Sequence, residues 1–167
     1  MKSTYRRSFL TGLVTLAAMP AALRAQARVE EPSTNEALIR ELYKIAEGKR
    51  LDADGFASLF ADDGYFLDMS SGQRWTGRDV RDPVNGLIRA YPDIHRQLLK
   101  LYHSGDDAVV VELRLQGTHK GDLPLPGGVL RATNKKFDVP CCDVWQIKDG
   151  KVKSFHCYNN LVATLKN

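Results

Sequence analysis

The dipeptide Asp149-Gly150, set between FDVPCCDVWQI and VKSFHCYNNL, constrains the fold of this chain more than any other feature. An Asp-Gly pair flanked by alternating apolar and polar residues signals a two-residue β-hairpin, because both turn positions need a positive φ. Such a hairpin requires an antiparallel pair with two chemically distinct faces. The turn puts Lys148 opposite Lys151. Carried along the strands without irregularity, that register predicts Asp143 opposite His156 and Cys142 opposite Cys157. One face then holds Cys141, Asp143 and Trp145 against Ser154, His156 and Tyr158. The other holds Cys142 and Val144 against Phe155, Cys157 and Asn159.

Further strands are expected in GYFLDM, HRQLLKLYH and DAVVVELRLQGTH. Three helices precede most of them. Ser33 and Glu36 have capping-box spacing ahead of ALIRELYKIAEG, in which Leu38, Leu42 and Ile45 share a face and Gly48 supplies a stop. A short helix should follow Asp52, with Phe56, Leu59 and Phe60 inward. A third should start at Pro83, capped by Asp82, turn Leu87 and Ile88 to the core and end at Tyr91-Pro92. Helices segregated ahead of a mostly antiparallel sheet predict an α+β domain. The Ser104–Asp107 turn permits a bulge, so the first long hairpin is expected to be weaker in register than the last.

The N-terminus reads as an address rather than as part of the fold. Tyr5-Arg6-Arg7-Ser8-Phe9-Leu10, an apolar stretch to Leu23 and Ala25-Gln26-Ala27 follow the order of a cleaved twin-arginine export signal. The expected organisation is a signal over 1–27, a polar linker over 28–33 and one domain over 34–167, working in the periplasm or outside the cell. The signal's four basic residues, Lys2, Arg6, Arg7 and Arg24, account for the whole formal charge of +4. The remainder is neutral and has no long basic run, which argues against nucleic-acid binding.

Three ionisable residues stand out. In residues 109–119 the odd positions are Val109, Val111, Leu113, Leu115, Gly117 and His119, so His119 should point inward with the leucines. An inward histidine at a strand end is either a satisfied core residue or a ligand-facing one. In the expected register Asp143 and His156 form an acid–imidazole pair among Trp145, Tyr158 and aliphatic groups. The pair reads equally as a proton-transfer couple or as a structural ion pair fixing register.

YPDIHRQL at 91–98, GTHKG at 117–121, TNKKF at 133–137 and DVWQIKDGKV at 143–152 follow FADDGYFLDM and WTGRD in order. Together these segments resemble the SnoaL-like polyketide cyclase and ester cyclase group of the nuclear transport factor 2-like superfamily, over roughly residues 35–165. The resemblance implies a cone-like α+β barrel, with helices wrapped by a curved, mostly antiparallel sheet and a pocket open at one end. It implies cofactor-independent acid/base chemistry on small carbonyl compounds, maps the family's pocket histidine onto His119, and maps a polar first-strand residue onto Asp68. Asn134, Asn159 and Asn160 stand where related cyclases can carry acids, so the founding cyclase chemistry does not transfer residue by residue.

The expected function is therefore an exported small-molecule pocket of cyclase or isomerase type. Asp143 would move a proton of an enolisable carbonyl compound, His156 would set its charge, and His119 would bind the enolate oxygen. Asp68, Trp75, Trp145 and Tyr158 are the expected substrate contacts, the aromatics by stacking on a flat polycyclic or aromatic ligand. The alternative is a non-catalytic ligand-binding or scaffold module of the same fold. The Pro- and Gly-rich residues 120–136 form either a lid or a surface loop. An outer face with Val144 and Phe155 would suit a homodimer through the sheet. His119, Asp143 and His156 include the residue types of a two-histidine, one-carboxylate centre, but HExxH and paired-cysteine zinc spacings are absent, so no metal or cofactor is expected. Cys142 and Cys157 either form a disulfide, leaving Cys141 free on the pocket side, or all three are small buried hydrophobes. His95 and His103, at the ends of one strand, are expected to serve local turns or caps.

Overall fold

A computed structural model describes residues 34–167, which all lie in one compact unit. The segments read as an export signal and a linker, with Ser33 of the expected capping box, lie outside the described residues.

Helix α1 (Thr34–Ile45) buries Ile39, Leu42 and Tyr43, so its inward stripe sits one residue round from the expected Leu38–Leu42–Ile45 line. In α2 (Ala53–Ser58) the Asp52 carboxylate caps the Gly55 N–H at 2.8 Å. Helix α3 (Arg81–Ala90) continues a 3-10 turn at Gly77–Val80 and so begins before Pro83. Its buried residues are Val84 and Ala90, with Leu87 packed against the core from the side.

The strands are β1 (Phe60–Asp68), β2 (Arg74–Thr76), β3 (His95–Ser104), β4 (Ala108–Thr118), β5 (Leu123–Leu125), β6 (Gly128–Leu130), β7 (Lys136–Lys148) and β8 (Lys151–Asn159). Six of them form one curved sheet in the order β2-β1-β8-β7-β4-β3. Every pairing is antiparallel except β1 with β8. β5 and β6 make a separate hairpin inside the segment read as lid or loop, and a short helix α4 (Leu161–Lys166) ends the chain. The architecture is the α+β class expected.

The last hairpin corrects the expected register. Asp149 and Gly150 have φ of 53° and 70°, as a two-residue turn demands, and Lys148 does pair with Lys151. Between Gln146 and Ile147 the ladder slips by one residue, so Asp143 faces Cys157, Val144 faces His156 and Cys142 faces Tyr158. The cause is packing. Val152 and Phe155 are both buried, yet their odd spacing would put them on opposite faces of a regular strand. A bulge with Lys153 as the extra residue reconciles them. It turns Phe155 inward, where the ring stacks on Trp145 at 3.8 Å and on Phe66 at 4.5 Å.

The first long hairpin is the reverse case. Ser104 pairs with Ala108 directly across the turn, and the irregularity falls instead between Leu98 and Lys100, at the exposed Leu99.

Candidate active site

The slipped register decides which side chains share the concave face. Phe155, Cys157 and Asn159 of β8 lie across from Trp145, Asp143 and Cys141 of β7, and Phe66 and Asp68 of β1 continue the same rows. A cavity of about 360 Å³ opens over this face. Asp143, Cys157 and Asn159 form part of its lining, with Asp68, Trp75, Tyr91 and Arg96 among the remaining polar and aromatic groups. Leu87, Leu115, Leu123, Leu125 and Leu161 supply apolar wall. A larger depression of about 1000 Å³ is lined in part by Asp54, Asp62, Arg78, Arg81 and Lys151. It contains no buried acid, and its charged groups are those of an ordinary solvated surface.

Asp143 is only 3% exposed. Its Oδ2 accepts the Tyr43 hydroxyl at 2.6 Å, and that hydroxyl oxygen accepts Trp145 Nε1–H at 3.2 Å. Oδ1 accepts a weaker bond from Cys141 Sγ at 3.3 Å. Burial raises the Asp143 carboxyl above the ordinary aspartate range, and the Tyr43 hydroxyl, the two thiols and the Arg96 charge only partly oppose it. Burial, and then the neighbouring Asp143 charge, push the Tyr43 hydroxyl well above its ordinary value. Tyr43 therefore stays a donor, and it fixes the carboxylate in place.

The other expected site residues separate. His156 is on the outer face, where Nε2 lies 3.0 Å from the Tyr65 hydroxyl, so it is not the partner of Asp143. Tyr158 is 44% exposed on that same outer face and does not line the cavity. Trp145 is core, 1% exposed beneath Tyr43 and Phe155. Phe155 is likewise inside, which removes it from the outer face proposed for a dimer. Asp68 and Trp75 do line the cavity, although both Asp68 oxygens are engaged by Ser70 and Ser71.

His119 points inward as its strand alternation predicts, and it is fully buried. Its Nδ1 lies 3.1 Å from Thr133 Oγ1, and the ring packs against Tyr91 at 5.4 Å. Burial lowers its pKa, so the ring is held neutral. Tyr91, not His119, faces the cavity, and the Tyr91 hydroxyl is buried without a hydrogen-bond partner among the described residues.

A family model for the SnoaL-like domain matches residues 39–155. The chain belongs to the SnoaL-like domain family. No curated protein matches it. Among solved structures it is similar to a protein from Jannaschia sp. CCS1, provisionally designated a SnoaL-like polyketide cyclase, with 22% identity, a TM-score of 0.65 and coverage of 84% of this chain and 95% of the other. It is also similar to a protein of ketosteroid isomerase-like fold from Catenulispora acidiphila, solved in complex with trimethylamine, with 21% identity, a TM-score of 0.60 and coverage of 72% and 83%. A nuclear transport factor 2-like protein from Burkholderia thailandensis E264 gives 20% identity, a TM-score of 0.61 and coverage of 78% and 95%. These likenesses establish the fold.

Within this SnoaL-like fold, sequence reasoning missed Tyr43, Tyr91 and Arg96. Tyr43 was findable, since it is the next residue on the helical face of Ile39 and Leu42. Tyr91 looked like punctuation at a helix end, and nothing local marks Arg96 as a cavity residue. His95 pairs with Glu47 in the turn after α1, and His103 with Glu36 on α1, rather than capping their own neighbours.

Proposed function

We propose that this protein binds a small carbonyl compound over the concave face and moves a proton on it, as a cyclase- or isomerase-type enzyme, with Asp143 as the base. One observation supports this above the others: a single buried carboxylate lines the floor of a largely apolar cavity, with one oxygen fixed by Tyr43. A carboxylate in such surroundings is more basic than in water, which suits removal of a proton next to a carbonyl.

Tyr91 takes the role first given to His119. Its buried hydroxyl has no partner among the described residues, which supports it as the donor to the developing enolate oxygen, and the His119 ring, whose Nε2 is likewise unpartnered, packs behind it. Trp75 offers a stacking surface for a flat ligand. The twin-arginine leader supports export, and we place the working domain outside the cytoplasm.

The test is hydrogen–deuterium exchange at the α-carbon of a panel of enolisable cyclic ketones and 1,3-diketones in D₂O, followed by NMR. Exchange above buffer is expected for at least one member, reduced about 10²–10³-fold in Tyr91→Phe, the usual effect of removing one oxyanion donor. Saturable binding with no exchange by any member would reject catalysis and leave a ligand-binding module.

A further inference from the structure

Below the cavity floor, three potential ligand atoms converge: Cys141 Sγ, Cys157 Sγ and a carboxylate oxygen of Asp143 all lie within 4.8 Å of one another. The sulfurs are 3.6 Å apart, and Cys141 Sγ is 3.3 Å from Asp143 Oδ1. We infer that these three side chains form a binding site for a thiophilic divalent ion of the zinc class, with an open coordination position toward the cavity.

The edge lengths support this. With Zn–S near 2.3 Å and Zn–O near 2.0–2.2 Å, a tetrahedral ion sets its ligands about 3.8 Å apart for two sulfurs and about 3.5–3.7 Å apart for sulfur and oxygen. The sulfur–sulfur edge of 3.6 Å and the Cys141–Asp143 edge of 3.3 Å are slightly shorter, the Cys157–Asp143 edge lies within 4.8 Å, and small side-chain rotations would adjust them. Three protein ligands leave one of four positions, and two of the three, Asp143 and Cys157, line the cavity through which an ion or a water would arrive.

The surroundings match what metal ligands need. Tyr43 holds Asp143 Oδ2 at 2.6 Å, which turns Oδ1 toward the sulfurs. Asn159 Nδ2 donates to Cys157 Sγ at 3.3 Å, the kind of outer contact that orients a thiolate.

A disulfide fits the same sulfurs less well. Asp143 is opposite Cys157, so Cys141 is the diagonal neighbour. Diagonal residues in an antiparallel pair lie about 7–8 Å apart. Disulfides bridge Cα separations of about 4.4–6.8 Å. An ion between the sulfurs relieves that mismatch. Binding is a proton exchange: both thiols enter as S–H, each S–H bond breaks as an S–metal bond forms, and both protons leave to solvent. The site shares Asp143 with the proposed pocket: an ion on Oδ1, with Tyr43 on Oδ2, would occupy the carboxylate that is proposed as the base. Ion binding is therefore read from cobalt spectra and catalysis from exchange by metal-free protein, and either can fail without the other.

The test is titration of the reduced full-length chain with Co²⁺, followed by competition with Zn²⁺. The expected result is one ion per chain, a near-ultraviolet thiolate-to-cobalt charge-transfer band, visible bands of four-coordinate cobalt, and displacement by Zn²⁺. The band should disappear in Cys141→Ser and Cys157→Ser, persist in Cys142→Ser, whose thiol faces away, and weaken by about 10–100-fold in affinity in Asn159→Ala. Should the cysteine variants misfold, X-ray absorption at the zinc edge of the loaded wild type should show two sulfurs near 2.3 Å with lighter ligands near 2.0 Å. Absence of the charge-transfer band at stoichiometric Co²⁺, loss of the band in Cys142→Ser, or zinc with fewer than two sulfurs would each overturn the site. So would recovery of a native Cys141–Cys157 disulfide from cells.

Discussion

Asp143 and His119 are both buried ionisable groups on neighbouring strand systems of one sheet, yet only Asp143 reaches the cavity. Asp143 has a fixed donor on one oxygen and open space nearby. His119 is sealed by Tyr91 on one side and engaged by Thr133 on the other. Burial shifts both pKa values toward the neutral form, upward for the acid and downward for the base. The lesson is that a perturbed group becomes a reactive one only where substrate can reach it.

The largest effect should come from breaking the open side. Asp143→Asn removes the base while keeping the shape and an acceptor for Tyr43. It is expected to lower the α-exchange rate about 10²–10⁴-fold, the usual contribution of a positioned acid or base. In the wild type the ascending limb of rate against pH should lie above the ordinary aspartate value of about 3.9, because the raised carboxyl must lose its proton to act. Full exchange activity in Asp143→Asn would remove the distinction between the two regions.

Trp145 and Trp75 sharpen the comparison, since both were expected to stack on substrate. Trp145 supports Tyr43 and Phe155 from within the core, so Trp145→Ala is expected to cost about 3–5 kcal/mol of stability, read as a fall in the urea midpoint. Trp75 is only partly buried and stacks on Phe66 at the cavity wall. Trp75→Ala should lose less stability and weaken ligand binding more. Equal stability losses in the two variants would contradict this assignment.

His119 predicts a smaller, pH-dependent effect. Its folded pKa is depressed, so the stability it contributes is fully present above the unfolded histidine value of about 6.5 and is lost as pH falls toward the folded value. Over that window the wild type should lose stability more steeply than His119→Gln, by up to about 1.4 kcal/mol per pH unit. Urea unfolding at pH 7.5, 6.0 and 5.0 measures it. Parallel curves for the two proteins would mean that His119 is not held neutral.

Sequence alone made much of the fold legible, for identifiable reasons. The Asp149-Gly150 turn and the odd-position apolar run from Val109 to Leu115 specify strands and faces by local chemistry, and both are as read. The site was less legible because it depends on one bulge. Val152 and Phe155, both large and apolar at odd spacing, contained the signal, but a two-residue turn favours counting straight through. One slipped residue moved His156 and Tyr158 outward and brought Phe155, Cys157 and Asn159 inward. It also replaced the expected Cys142–Cys157 contact by Cys141–Cys157. Tyr91 and Arg96 come to the cavity through long-range packing that no spacing rule encodes.

The smallest effect is expected at His156, and it tests the register itself. On the outer face its imidazole touches Tyr65, and β8 places Val144, not Asp143, across from it. His156→Gln keeps a polar side chain for the Tyr65 hydroxyl and removes the ring. The expected stability change is at most about 1 kcal/mol, the net value of one hydrogen bond. The exchange rate should stay within about twofold, and the Asp143 limb of the pH profile should not move, because the sheet separates the two groups. An unslipped register predicts the opposite: loss of an imidazole directly across from Asp143 would shift that limb and change the rate together. A displaced limb in His156→Gln would therefore put the bulge at Lys153 in the wrong place and return Phe155 to the outer surface. An unchanged profile leaves burial, partly opposed by Tyr43, the two thiols and the Arg96 charge, as what sets the charge of Asp143.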